Sequence, residues 1–174
     1  MKKKSKAAAL FHKKPFFSFR SADILKLIQL ASKTKKKCYR FCSHRDKNEP
    51  VHEMVIAHKE GAYIRPHKHL RKPESLLIII GKADYLLFSE KGKLVKRIEM
   101  GDYHSKRPFY QSTRKEIYHS MIVKTPWLVF LEITKGPFRR HQTVFARWSP
   151  GANRIRDGIK FLENAKESLE KRIS

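Results

Sequence analysis

Across residues 51–134 the apolar side chains fall in short runs at strand period, a pattern that no helical bundle can accommodate. The runs cover residues 51–58, 62–64, 76–80, 85–88, 94–100, 117–123 and 127–133. Between them stand Lys59-Glu60-Gly61, Gly81-Lys82, Glu90-Lys91-Gly92-Lys93 and Lys124-Thr125-Pro126, which is the chemistry of turns. Seven strands at this density predict a barrel or sandwich, with sequential hairpins as the connections. The polar and aromatic stretch 101–115 reads as a loop near a barrel mouth.

Helical period appears only at the two ends. Ile24, Leu27, Ile28 and Ala31 recur at helical steps behind Ser21, a candidate cap, and predict a short helix packed on the β unit. Ile155, Ile159, Leu162, Ala165, Leu169 and Ile173 predict an amphipathic C-terminal helix that needs a surface to lie on. The chain therefore divides into a basic tail (1–20), a helix and lead-in (21–50), a β-barrel (51–150) and a terminal helix (151–174). With 174 residues and 40% hydrophobic composition it is long and apolar enough to fold as one domain without a disulfide or metal staple.

The charge is lopsided. Lys and Arg total 40 against 16 Asp and Glu, a net +24, and residues 1–50 hold 15 basic and 3 acidic side chains, hence +12 of that sum. Such a field attracts polyanions and anionic membrane surfaces, although charge speaks about partners and not about fold. No run of 18 apolar residues exists to span a bilayer, and the five-residue run 7–11 is too short for a secretion signal. Cys38 and Cys42, at helical spacing, make no disulfide framework and no zinc half-site, which fits a reducing compartment and a cytoplasmic chain. Phe16-Phe17-x-Phe19, flanked by Lys13-Lys14 and Arg20, interleaves aromatic and basic groups as single-strand binders do, but the preferred reading is three aromatics docking a tail onto a core.

One segment carries chemistry. In Arg65-Pro66-His67-Lys68-His69 the two histidines alternate, so on a strand both imidazoles leave the same face and can ligate one ion. Glu74 opens the next run four residues later, within reach of that ion across a hairpin. His119 lies among Ile117, Met121 and Val123 on one face, either a core histidine bonded to backbone or a fourth ligand. If Thr125-Pro126 closes a tight hairpin, Glu132 falls opposite His119 and is a candidate base behind the ligands, or else a rim carboxylate paired with a cation. Tyr63 and Arg65 share the parity of His67. Arg65 is then placed to hold a substrate carboxylate or phosphate, with the competing reading that Tyr63 is core and Arg65 covers it.

Gly61, five residues, His67-x-His69, four residues, Glu74, six residues, Gly81 matches the first motif of the cupin superfamily at every position. More narrowly, Tyr63-Ile64-Arg65-Pro66-His67-Lys68-His69, Tyr118-His119, the stretch 132–138 and the stretch 145–150 resemble the WbuC family of cupin-fold metalloproteins; Arg40 and His44 match an Arg and a His ahead of that family's barrel. The resemblance spans roughly residues 24–150 and departs from the second cupin motif, where Arg114 and Glu116 replace a Pro and a Gly. It implies a single jelly-roll barrel binding one divalent metal, Fe, Mn, Ni or Zn, through His67, His69, Glu74 and His119. It also implies a sugar or sugar-nucleotide ligand in a surface-polysaccharide setting and a homodimer paired through sheet edges. Three imidazoles and a carboxylate leave open coordination positions, which do not choose among isomerase or epimerase, hydrolase and dioxygenase chemistry. Two rival readings stand beside an enzyme: a module that binds or senses a small anionic or polyhydroxylated ligand without turnover, and a polyanion binder that grips nucleic acid or anionic lipid through its basic N-terminal arm.

Overall fold

A computed structural model describes residues 9–173. Its strands are β1 (Ala9–Phe11), β2 (Cys38–Cys42), β3 (Val51–Lys59), β4 (His67–His69), β5 (Glu74–Ile80), β6 (Lys82–Phe88), β7 (Leu94–Gly101), β8 (Tyr110–Thr113), β9 (Tyr118–Val123), β10 (Trp127–Lys135) and β11 (Thr143–Phe145). Two helices accompany them, α1 (Ser21–Ser32) and α2 (Ile155–Ile173). They form a six-stranded sheet in the order β1-β2-β3-β10-β5-β8 and a five-stranded sheet in the order β11-β4-β9-β6-β7, with strand pairing only within each sheet. Counting the eight strands from β3 to β10, one sheet holds the first, eighth, third and sixth, and the other the second, seventh, fourth and fifth. That order is the jelly roll, so the expected mainly-β barrel with a short N-terminal and a C-terminal helix is the fold observed.

Alternation sends one set of side chains between the sheets and the other outward. Met54, Ile56, Leu76, Ile78, Tyr85, Met121, Leu128 and Phe130 meet in the interior. On the outer face of the larger sheet, Ala57 and Val129 receive Leu27 and Ala31 of α1. On the outer face of the smaller one, Leu86, Phe88 and Tyr118 receive Leu162 of α2. Each helix thus finds the surface its apolar stripe requires. Asp84, buried beneath α2, pairs with Arg97 at 3.1 Å, and Arg97 reaches Glu170 of the helix at 2.7 Å.

Several expectations are corrected. Strands consecutive in a jelly roll mostly change sheets, so sequential hairpins do not dominate: β6 and β7 pair, whereas β4 and β5, and β9 and β10, lie in opposite sheets. Residues 62–64 form no strand. The 101–115 loop contains β8, which pairs with β5. Cys38 and Cys42 lie on a strand rather than at helical spacing, both pointing inward as free thiols. The expected docking of the tail through its aromatics is seen, and it extends from Ala9 onward: β1 runs parallel to β2, and Phe17 and Phe19 pack on Phe41 at 5.1 and 5.3 Å. Its first eight residues lie outside the described ones. Helix α1 begins with Arg20 as its cap, and Asp23 reaches back to accept from the Arg20 N–H at 2.9 Å, so Ser21 is not the capping residue. Among the described residues no helix is long and apolar enough to cross a membrane.

Candidate metal centre

The short strand β4 places His67 directly opposite His119 on β9. His69 shares the His67 face, and nitrogens of the three rings lie within 4.8 Å of one another. Glu74 approaches from the other sheet. The chain passes from one sheet to the other between β4 and β5 through the partly exposed residues 70–73, and the buried carboxylate lies 2.8 Å from His69 Nε2 and 3.6 Å from His119 Nε2. The four side chains expected to meet do so, but across the gap between two sheets and not within one hairpin.

The backs of the rings are anchored. His67 Nδ1–H donates to the Arg65 carbonyl at 2.9 Å and His119 Nδ1–H to the Ile117 carbonyl at 3.0 Å. A carbonyl can only accept, so both rings carry their proton on Nδ1 and turn a lone pair on Nε2 inward. His69 Nδ1 meets the Thr143 hydroxyl of β11 at 3.3 Å, a partner able to serve either polarity. Bonds of this kind orient metal-binding imidazoles. Burial, followed by the neighbouring rings His119 and His69, pushes His67 down to about 3, and burial also lowers His119. Both are neutral at pH 7, the form that ligates metal. Burial works against the charge of Glu74, yet the His69 hydrogen bond and the three rings hold its carboxyl below the usual range. His119 Nε2 is buried without a hydrogen-bond partner. A buried orphan nitrogen facing a carboxylate and two further imidazoles fits a cation, as the donor set N3O does.

Glu132 does not sit opposite His119. On β10 it is flanked by Met54 of β3 and Leu76 of β5, because β9 and β10 belong to different sheets. It nevertheless faces the same interior, since Leu128, Phe130 and Thr134 of equal parity are all buried. Glu74 is opposite Thr134, which makes Glu132 its diagonal neighbour. Burial pushes the Glu132 carboxyl well above the ordinary range and the Glu74 charge adds to this, while Arg40 and Lys72 oppose it.

Tyr63 and Arg65 are held elsewhere. The Tyr63 hydroxyl donates to the Pro150 carbonyl at 2.8 Å and its ring abuts Gly158 of α2. Arg65 donates to the Ala146 carbonyl at 2.7 Å and to Ser149 at 3.1 Å, and lies over the Phe145 ring. Residues 62–66 are not a strand, so parity with His67 does not aim them at the histidines; they tie the segment after β11 to the barrel. Tyr85, by contrast, belongs to the site and was not anticipated. Its ring stacks on His119 at 5.7 Å, and its hydroxyl lies 3.5 Å from Thr113, itself bonded to Gln111. Its place inside an apolar strand, between Ala83 and Leu87 of like parity, was the available signal.

A family described as a domain of unknown function (DUF6016) matches residues 19–100, which include His67, His69 and Glu74 but neither His119 nor Glu132. No curated protein matches the chain. Among solved structures, protein SO0799 from Shewanella oneidensis is similar over 73% of this chain and 85% of its own, at TM-score 0.53 and 11% identity. Oxalate decarboxylase from Bacillus subtilis is similar over 56% of this chain, at TM-score 0.45 and 21% identity, and the chain spans 24% of that enzyme's length. The strand order above is that of a cupin jelly roll, and the likeness to SO0799 shows the same fold recurring at very low identity: the chain has a cupin-like fold with a three-histidine group able to bind a metal.

Proposed function

We propose that the chain is a metal-binding cupin of the WbuC type that acts on or binds a small polar metabolite at one divalent metal centre. His67, His69, His119 and Glu74 would hold the cation, which when bound supplies a Lewis acid at the barrel mouth. The observation that carries this reading is the arrangement of the histidine rings, with nitrogens of all three within 4.8 Å of one another, His67 and His119 locked by Nδ1–H to a carbonyl, and the Nε2 atoms of His69 and His119 near the buried Glu74. Glu132 is the residue positioned to hold or move a proton beside them. It is half-buried, and among the described residues no hydrogen bond or ion pair engages it. A carboxyl kept protonated by its surroundings donates to a ligand oxygen, and after losing that proton it accepts. Tyr85, buried, stacks on His119 and walls that side of the ring. The sugar or sugar-nucleotide ligand rests on the WbuC resemblance alone.

Elemental analysis of protein purified without added metal tests the centre. One divalent ion per chain is expected, and none in His67→Ala/His69→Ala at unchanged far-UV circular dichroism. Stoichiometric metal in the double variant would refute the site. Turnover is separated from binding by recovering the ligand after incubation, because a non-catalytic module returns it unaltered.

A further inference from the structure

The inner face of the larger sheet carries more charge near the histidines than the metal centre uses. On β2, Cys38 and Cys42 point into the interior core while Tyr39 and Phe41 pack outward against α1. Arg40 has the parity of the two cysteines and therefore faces inward, yet it is exposed, so the barrel is open at this edge. Its guanidinium is 4.0 Å from the Met54 sulfur, and Met54 stands directly opposite Glu132. The Cys38 thiol, two residues away on the same face, is near enough to feel its charge. Sulfur is a weak acceptor for a group with five donors.

Lys72 enters from the opposite side, on the segment that crosses to Glu74. It is half-buried, with its ammonium 5.8 Å from the Phe138 ring. No ion pair engages Arg40 or Lys72 among the described residues. Surface lysines of so basic a protein go unpaired for want of acids. An inward-facing arginine and a half-buried lysine on two sides of an unengaged carboxyl are different, because a ligand oxyanion lodged between them would meet both charges at once.

We infer that Arg40 and Lys72 form an anion seat beside the histidine group, and that the ligand is a small organic acid or phosphate ester. Its charged end lies between the two cations while a second oxygen reaches Glu132 and the histidines. This deepens the proposed function and rests on it for the second oxygen, but the seat itself is independent of metal. The bidentate geometry of guanidinium favours a carboxylate or phosphate over a neutral polyol, so the reading commits to an acidic ligand where the resemblance allows a neutral sugar as well as a sugar nucleotide.

The test is calorimetric titration of the full chain, as purified and after dialysis against chelator, with inorganic phosphate and separately with malonate. One saturable site per chain is expected for at least one of the two anions, and the preferred anion separates a phosphate ester from an organic acid. Arg40→Gln and Lys72→Gln are each expected to weaken binding by roughly tenfold, the loss of one charge-assisted contact, with Arg40→Lys intermediate. Lys96→Gln, on the exposed face of β7, leaves affinity unchanged. Wild-type affinity in Arg40→Gln and Lys72→Gln, equal weakening in Lys96→Gln, or no saturable site for either anion overturns the seat. Metal content of the same preparations keeps the two readings apart. Full metal with unaltered anion binding in the variants sinks the seat alone, whereas a wild type that holds no metal yet binds the anion through Arg40 and Lys72 sinks the centre alone.

Discussion

At the scale of single residues, the site is built by what stands behind the ligands. Among the described residues the Thr143 hydroxyl bonds the rear nitrogen of His69, so Thr143→Val is expected to leave the fold intact and weaken metal affinity by about tenfold, as losses of orienting bonds do. Competition with a chromogenic chelator measures this, and an affinity equal to wild type would remove Thr143 from the account. His58 is a second case, away from the ligands. It stacks on Phe130 at 5.7 Å, its Nδ1 is buried without a partner, and burial, helped by Arg40, pushes it down to about 4. Because the unfolded ring titrates near 6.5, its neutral form favours the fold above that pH, and this contribution is lost as pH falls from about 6.5 toward 4. His58→Gln is expected to flatten urea-measured stability over that interval; a slope equal to wild type contradicts the assignment.

At the scale of elements, the strand runs were legible because residues buried on one or both faces keep a periodic apolar pattern, as in the runs at 76–80 and 127–133. Strands β1, β2, β8 and β11 were not, since three to five residues contain too few alternations to stand out, and Cys38-Tyr39-Arg40-Phe41-Cys42 reads equally well as helix, whereas β4 was read from the alternation of His67 and His69. The histidine motif was legible through its spacing alone. Partners across the interior, Glu132 with Glu74 and Tyr85 with His119, depend on which sheet each strand enters, and no local pattern encodes that choice. Two substitutions probe the joints. Leu162 is 1% exposed where α2 meets Leu86 and Phe88, so Leu162→Ala is expected to cost about 2–5 kcal/mol in denaturant unfolding. Gly81 turns the chain from β5 into β6 at φ +91, and a Cβ there would collide with the Trp127 carbonyl. Gly81→Ala is expected to cost at least about 1–3 kcal/mol, and a neutral result for either would show that its joint relaxes freely.

At the scale of the whole molecule, +24 charges on 174 residues repel one another in the compact state. Raising salt from about 0.01 to about 0.15 M shortens the screening length from about 30 to about 8 Å, so the thermal midpoint is expected to rise with sodium chloride. A midpoint that stays flat or falls would mean that ion pairs such as those of Arg97 with Asp84, Glu99 and Glu170 outweigh the repulsion.

The three imidazoles belong to one sheet and the carboxylate to the other. A cation held by all four is therefore a clasp between two leaves. Releasing it on the carboxylate side requires the leaves to breathe apart, so slow dissociation of the ion would report how seldom the barrel gapes, and hydrogen exchange in β5 and β9 should quicken together once the clasp is undone.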